Sequence, residues 1–270
     1  ATSAMTQVLL DGVGYSTKQT SASQQIIFAG IRDQRLDLFL GYWNPLMTQT
    51  ITPFVQANQV KVLEAPSLED ARATLAVPTY LADKGLKTFA DIAKFEKELG
   101  GKIYGIEPGS GANTQIKAMI AKNQFGLGKF QLVESSEAGM LAAVDRAVRR
   151  NEAVVFFGWA PHPMNVNVKM TYLTGSDNAL GPNEGSATVW TVTAPKYAEQ
   201  CPNIGRLLSN LTFTAEDESR MMQPLLDHKD AFESARQWLK DHPQDKQRWL
   251  EGVTTFDGKP AAQNLQLTSK

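Results

Sequence analysis

The sequence has little of what several kinds of functional site require. Its single cysteine, Cys201, excludes an internal disulfide and a cysteine-based zinc cluster. The three histidines, His162, His228 and His242, are too few and too scattered to indicate a metal site. Neither the G-x-S-x-G of a nucleophile elbow nor the G-K-[ST] of a P-loop occurs. We therefore expect no catalytic residues, no metal and no cofactor.

Long apolar runs and an excess of charge are also missing. Lysine and arginine number 27 against 28 aspartates and glutamates, and 42% of the residues are hydrophobic. This balance is typical of a folded chain and predicts no nucleic-acid partner. No apolar run is long enough to cross a bilayer, and the opening ATSAMTQVLLDG lacks the regions of a signal peptide. Either the chain was never exported or its signal peptide has already been removed.

Apolar stretches rich in β-branched residues alternate with helical ones, which predicts an α/β chain with largely parallel sheets. The predicted strands are VLLDGVG, LDLFLGYW, KVLEA, ATLAVPTYL, KIYGIEPG, FQLVE, AVVFFGW and ATVWTVT. TFADIAKFEKELGG is a predicted helix with Thr88 as N-cap and Asp91 three residues later. SSEAGMLAAVDRAVRRN is another, capped by Ser135 or Ser136. The chain from about residue 215 to residue 252 reads as mostly helical and amphipathic.

Two stretches look like crossings between lobes. TLAVPTYLADKG places a proline in an apolar strand, which suits an edge or a hinge, and SDNALGPNEGSATVW is dense in turn formers. We predict a discontinuous first lobe of residues 1–75 plus 181–270 and a second lobe of residues 76–180, with a ligand cleft between them.

Aromatic residues recur at or near the ends of the predicted strands. They are Tyr15, Trp43, Tyr80, Tyr104, Trp159 and Trp190. Converging rings hold a cation without a formal counter-charge, each face contributing roughly 0.5 to 2 kcal/mol. A quaternary ammonium is the natural guest, because it has no N–H to donate. The alternative is that these rings fill hydrophobic cores.

Other features give weaker signals. EPGSGANT resembles a glycine loop that cradles phosphate, but it reads as a strand, a turn and a helix start whose free N–H groups suit a polar ligand group. Glu107, Glu134 and Glu137 are conceivable acid or base groups, and we interpret them as surface residues.

Several motifs carry a family resemblance. FLGYWNP, LAVPTYLADKGLKTFADIAKFEKELGGKIYGIEPGSGAN, the segment ending in VVFFGWAPHPMN, and MTYLTGSDNALGPNEGSATVWTVT resemble the periplasmic binding proteins of ABC importers for choline, glycine betaine and carnitine. The resemblance implies a type II periplasmic binding fold with two α/β lobes, two hinge crossings and an aromatic box. It also implies a periplasmic location with the signal peptide removed and a permease as partner, and we expect a monomer. His162 is then structural, while Pro161 and Pro163 fix the loop that aims Trp159.

The resemblance assigns the walls of the box residue by residue. Tyr15 in VGYST matches the first wall, Trp43 in the G-x-W-x-P turn the second, and Trp159 the fourth. The third wall matches Ala73, so a ring is missing there, and Trp190 is a reserve for it.

The polar end of the matched site also departs from the family pattern. The aspartate that receives the choline hydroxyl in such proteins matches Thr17, and an asparagine matches Ser110. Because hydroxyls can donate to a carboxylate, we expect carnitine or betaine to be favoured over choline.

The sequence departs from the family pattern in two further ways, and two rival functions stay open. The segment between Gly14 and Leu36 is shorter than usual by about one strand and its loop, and Cys201 lacks the N-terminal partner often seen in the family, since Met5 stands there. The rival functions are an enzyme acting on a small amine, with Glu107 as its candidate group, and a ligand-sensing module.

Overall fold

The computed structural model describes residues 1–267, and it contains eight β-strands within that range. The strands are β1 (Leu38–Asn44), β2 (Lys61–Val62), β3 (Leu68–Pro78), β4 (Lys102–Tyr104), β5 (Gln131–Val133), β6 (Phe156–Ala160), β7 (Met170–Tyr172) and β8 (Ser186–Thr193).

Helices account for most of the remaining regular structure. In chain order they are α1 (Thr2–Gly12), α2 (Gln24–Arg32), α3 (Thr48–Gln56), α4 (Thr79–Asp83), α5 (Phe89–Ile92), α6 (Glu96–Leu99), α7 (Gly111–Ala121), α8 (Glu137–Arg149), α9 (Met164–Asn167), α10 (Pro182–Gly185), α11 (Tyr197–Gln200), α12 (Pro202–Asn210), α13 (Ala215–Leu226), α14 (Ala231–Asp241), α15 (Pro243–Trp249) and α16 (Ala261–Asn264). Short 3-10 segments occupy Ala93–Phe95 and Gln124–Lys129. Within residues 1–267 we find no helix with both the length and the apolarity needed to span a membrane.

The first predicted strand is wrong, because most of VLLDGVG lies in helix α1. Met5 and Leu9 are buried one turn apart, and Val8 is buried beside them. A short apolar run looks the same in a strand and in a buried helix, so the residues before it decide. Here ATSAMTQ extends the run into an 11-residue helix.

The starts of α5 and α8 were predicted correctly from their capping side chains. The Thr88–Asp91 capping box is confirmed at α5, where the Thr88 backbone N–H and hydroxyl donate to Asp91 Oδ2 at 2.9 and 2.7 Å. Ser136 caps α8 by accepting from the Gly139 N–H at 3.0 Å. Residues 215–252 are helical over α13, α14 and α15, as predicted.

The chain divides into two compact units by its backbone contacts. The first unit is Ala1–Tyr42, Ile51–Glu69 and Val189–Lys270, and the second is Trp43–Thr50 and Asp70–Thr188. The predicted lobe bounds, 1–75 plus 181–270 and 76–180, stay a prediction beside this division.

The first unit has a core built mainly by helices. Met5, Leu9, Leu207, Leu239 and Trp249 belong to one buried cluster contributed by α1, α12, α14 and α15. In the same unit β2 pairs antiparallel with β8.

The second unit contains the longer strand pairings. β3 pairs antiparallel with β6 and β7, while β4 is parallel to both β5 and β6. The expectation of largely parallel sheets is therefore wrong, because hydrophobic alternation along a chain does not encode the direction of the neighbouring strand, and sheets often mix both.

Hydrophobic side chains cover both faces of the sheet in the second unit. Leu75 and Phe157 are register partners and belong to what we call the main cluster, with Phe89, Ile103 and Ile116. The next pair, Ala76 and Phe156, belongs to another cluster with Met140 and Val144 of α8. Successive strand residues point to opposite faces, so the two clusters lie on opposite sides of β3 and β6.

Candidate functional site

Trp43 lies at the end of β1 and opens a tight turn. The Met47 backbone N–H donates to the Trp43 carbonyl at 2.9 Å, and the Trp43 N–H contacts the Met47 sulfur at 3.4 Å. The Thr48 hydroxyl donates to Asn44 Oδ1 at 2.9 Å across the same turn. The half-buried indole packs against the main cluster. Local hydrogen bonds therefore fix the backbone that carries this ring.

The start of helix α7 is pressed against the Trp43 turn. Ser110 is its N-cap, 2% exposed, and its Oγ accepts from the Asn113 N–H at 3.2 Å. A Cβ placed on Gly111 would lie 2.0 Å from the Leu46 carbonyl oxygen. Only glycine permits this approach, which brings Ser110 next to the turn that carries Trp43.

Asn113 holds the loop before α7 in place. Its Oδ1 accepts from the Ile106 N–H at 3.0 Å, and its amide nitrogen donates to the Ile106 carbonyl at 2.9 Å. The same nitrogen donates to Glu134 Oε1 at 3.1 Å. Glu134 also pairs with Lys117 at 2.8 Å, and this hydrogen bond is the main cause that holds the pKa of Glu134 below its usual value.

Trp159 is half-buried in β6 and has an aromatic neighbour on each side along the chain. Its ring stacks on Phe157 with centroids 5.6 Å apart, and the His162 ring lies 4.9 Å away. Its carbonyl accepts from the Asn165 amide at 2.9 Å, and Asn165 Oδ1 accepts from the Tyr172 hydroxyl at 2.7 Å. Burial raises the pKa of Tyr172 to about 12, so its hydroxyl keeps the proton that it donates.

His162 is buried behind Trp159, and both ring nitrogens are engaged. Its Nδ1 accepts from the Met164 backbone N–H at 3.0 Å, which places the ring proton on Nε2. Nε2 lies 3.0 Å from Glu137 Oε1 and donates to it. These contacts give His162 a structural role in the loop after Trp159.

Ala73 lies directly opposite Trp159 in the β3–β6 register. Opposite residues of an antiparallel pair project to the same face with their Cβ atoms about 5 Å apart. Ala73 is fully buried, so its methyl group packs beside Trp159 and leaves no ring at this position. Both residues contact the main cluster, as does Trp43.

Tyr15 follows α1 in the first unit and packs against that unit's core. Its hydroxyl accepts from the Asn203 amide at 3.1 Å. Its ring meets Phe256 at a centroid distance of 5.5 Å and an interplanar angle of 88°. The Phe256 backbone N–H donates to the Val13 carbonyl at 2.7 Å, which ties the two loops together.

Thr17 is bound by a carboxylate. Its hydroxyl and its backbone N–H both donate to Asp11 Oδ1, at 2.7 and 3.2 Å. Gln7, one helical turn before Asp11, donates to the Thr17 carbonyl at 3.3 Å. A carboxylate therefore stands beside Thr17, although it comes from helix α1 and not from the position that sequence reasoning examined.

The structure thus gathers the predicted site residues in two groups. Trp43, Ser110 and Trp159 belong to the second unit, and Tyr15 and Thr17 share a loop of the first. Trp190 belongs to the first unit, is half-buried in β8, and alternates with the buried residues on either side of it. Sequence reasoning did not single out Asp11 or Phe256, which contact the predicted residues Thr17 and Tyr15; the only sequence signal for Phe256 was a phenylalanine in the turn sequence TTFDGK. In the described part of the chain, no cluster of histidine, cysteine, aspartate or glutamate suits a metal ion.

Comparisons with known proteins agree on one kind of relative. The family described as the substrate binding domain of ABC-type glycine betaine transport systems matches residues 1–241. An ABC-transporter choline binding protein in complex with choline is 42% identical with a TM-score of 0.94, and the match covers 98% of this chain and 92% of that one.

Two more distant relatives extend the comparison. The glycine betaine/carnitine transport binding protein GbuC of Listeria monocytogenes is 29% identical over 167 residues, or 60% of this chain and 55% of its own length. The chain thus matches about half the length of that relative. Lactococcal OpuAC in its closed-liganded conformation with glycine betaine is 22% identical with a TM-score of 0.83, over 92% of this chain and 93% of that one, and this likeness shows the fold alone.

Proposed function

The chain belongs to the family of substrate-binding domains of ABC-type glycine betaine transport systems, and from this membership we propose that it captures a quaternary ammonium compound in the periplasm and delivers it to a membrane permease. The predicted fold class is confirmed, since the chain has the mixed α/β fold of periplasmic binding proteins and two compact units. We propose that it acts as a monomer and releases its ligand unchanged.

One observation carries the proposal. In the second unit two half-buried indoles, Trp43 and Trp159, pack against the same hydrophobic cluster and keep part of their surface accessible. Indole faces attract a cation, and the attraction strengthens where water is excluded. We propose that these two rings and Tyr15 are walls of the ligand site, with Ser110 and Thr17 at its polar end and Trp190 in reserve.

We propose that the polar side chains at Thr17 and Asp11 determine which quaternary amine binds. The sequence-based preference for carnitine or betaine rests on Thr17 as a donor, but its hydroxyl proton is directed at Asp11. A carboxylate at this place repels a ligand carboxylate and accepts from a ligand hydroxyl. The solved relative at 42% identity is a choline complex. We therefore propose choline as the preferred ligand, in place of carnitine or betaine.

A non-catalytic role agrees with the state of the candidate acid and base groups. Glu134 is paired with Lys117, and its lowered pKa keeps it ionised. Glu137 accepts from buried His162, and Glu107 is exposed. An enzyme acting on a small amine would need one of these groups to exchange a proton with its substrate.

Titration calorimetry with choline, glycine betaine and carnitine tests the proposal. We expect one site per chain, choline to bind most tightly, and mass spectrometry to recover the ligand unchanged. Tighter binding of betaine or carnitine would restore the sequence-based preference, and consumption of the ligand would establish the enzyme alternative. Binding without any associated permease activity in reconstituted vesicles would favour the sensing module.

A further inference from the structure

Phe256 is an exposed aromatic residue that the assignment of the site leaves unused. Its side chain is 74% exposed, one of the highest values for a large hydrophobic residue in the described part of the chain. A single exposed apolar side chain is common on protein surfaces and needs no function. The surroundings of Phe256 set it apart.

The turn that carries Phe256 is fixed at both ends. The Phe256 N–H donates to the Val13 carbonyl at 2.7 Å, and the Thr255 N–H donates to the Lys259 carbonyl at 2.8 Å. Gly14 takes a φ of +103°, and a Cβ there would lie 2.9 Å from the Phe256 Cβ. Close approach of the two loops therefore depends on glycine, and it holds the phenyl ring beside Tyr15.

The two rings form a right-angled corner. Their planes meet at 88° and their centroids are 5.5 Å apart. A cation resting in such a corner can lie within about 6 Å of both centroids, the range in which ring faces attract a cation. The two charged side chains of the turn neutralise each other, because Lys259 Nζ pairs with Asp257 Oδ2 at 2.7 Å.

We propose that Phe256 is a further specificity-determining residue, which with Tyr15 contacts the methyl groups of the quaternary ammonium. Phenylalanine has no hydroxyl, so it favours a fully methylated nitrogen over one that carries N–H donors. The proposal rests on the proposed function, because it takes Tyr15 as a wall of the site.

The test compares Phe256→Leu with the unmodified full-length chain by calorimetry. Two ligands are used: choline and its neutral carbon isostere 3,3-dimethylbutan-1-ol. Leucine keeps the apolar bulk and removes the ring, so we expect choline to bind about 3- to 10-fold more weakly while the isostere is unaffected. Phe256→Trp should retain or improve choline binding, and Ile26→Ala, at another exposed hydrophobic residue of the same unit, should change neither ligand.

Each result of these titrations either supports or overturns the role of Phe256 as a cation contact. Unchanged choline binding in Phe256→Leu, or an equal loss for both ligands, overturns the role of Phe256 as a cation contact. If Trp159→Leu weakens choline binding while Phe256→Leu does not, the proposed function stands and this inference alone fails. If the unmodified chain does not bind choline or a related cation, the proposed function fails first.

Discussion

The indoles of Trp43 and Trp159 are held by different means. The Trp43 backbone is fixed by a turn and by the start of α7, whereas the Trp159 ring is stacked on Phe157 and backed by His162. A ring that is already ordered loses little entropy when a ligand arrives, and preorganisation of this kind favours affinity. Both rings are therefore suited to act as rigid walls.

Replacing either indole by leucine should weaken ligand binding without unfolding the protein. We expect Trp43→Leu and Trp159→Leu each to raise the Kd for choline by about 3- to 30-fold, since each ring contributes roughly 0.5 to 2 kcal/mol. Calorimetry gives the Kd and thermal melting checks the fold. Trp190→Leu run in parallel separates a ligand role for Trp190 from packing. Unchanged affinity in both Trp43→Leu and Trp159→Leu would remove them from the site.

Asp11 sets the expected ligand preference. Asp11→Asn keeps the shape and can still accept from Thr17, but it removes the negative charge. A hydrogen bond to a charged group contributes about 1.5 to 3 kcal/mol, so choline should lose roughly tenfold or more in affinity while glycine betaine gains. Competition calorimetry measures the ratio, with Asp33→Asn, whose carboxylate pairs with Arg32, as a control. A constant ratio of the two affinities would place Asp11 away from the ligand.

Individual residues were predicted unevenly from the sequence. The roles given to Trp43 and Trp159 came from a family resemblance and stay predictions, although the structure gives both rings a common hydrophobic cluster. The Asp11–Thr17 contact could not be predicted, because it depends on how the chain folds back after α1. The Tyr15–Phe256 contact could not be predicted either, because it depends on how two loops meet. The second joins residues 241 positions apart in the chain, a separation over which hydrophobic periodicity carries no information.

Secondary structure elements position the site through their ends. Helix α7 begins beside the Trp43 turn because Gly111 has no side chain. The start of α7 was read correctly from EPGSGANT, since a serine followed by glycine suits an N-cap position. Its contact with the turn was not predictable, because close backbone approach leaves no pattern in the sequence other than the glycine itself.

Gly111→Ala should disturb both the fold and the site. A Cβ would lie 2.0 Å from the Leu46 oxygen, so either the helix or the turn must shift. Overpacking of this kind destabilises proteins by about 1 to 3 kcal/mol, and a shift of the turn should also weaken choline binding. Thermal melting and calorimetry measure the two effects. Gly109→Asn is the control, because position 109 has a positive φ that asparagine tolerates and open space around it. Equal melting temperatures would contradict the close contact.

Helix α5 should show a pH-dependent stability that Asp91 supplies. Lys94 first and Thr88 second hold the pKa of Asp91 well below its usual value. A lowered folded pKa means that the contribution is present above the unfolded pKa of about 3.9 and is lost as pH falls through the folded pKa.

Asp91→Asn measures this contribution. At pH 7 the variant should melt about 2 to 4 °C below the unmodified protein, the shift expected for about 1 kcal/mol in a chain of this size. The difference should shrink steadily as the pH is lowered below about 4. Asp83→Asn, at an exposed position near α5, serves as control. A difference that does not change with pH would show that the carboxylate charge is unimportant.

At the scale of the whole molecule, the division into two compact units and the fold depend on how the helices and strands pack together. Its length and the alternation of strands and helices predicted an α/β chain with two lobes, and the family resemblance predicted the fold. Strand direction was predicted wrongly, because it depends on tertiary packing. The first predicted strand is a helix, because a short apolar run looks the same in a strand and in a buried helix. The number of predicted helices and strands gives neither the direction of the strands nor the helical state of the first apolar run.

The proposed function requires the protein to recognise a permanent positive charge through aromatic rings. Calorimetric titration of the full chain with choline and with 3,3-dimethylbutan-1-ol separates recognition of charge from recognition of shape, because the two molecules share a shape and differ in charge. Several rings at roughly 0.5 to 2 kcal/mol each predict that choline binds at least about tenfold more tightly. Equal affinities for the cation and its neutral isostere would show that the rings do not recognise the charge.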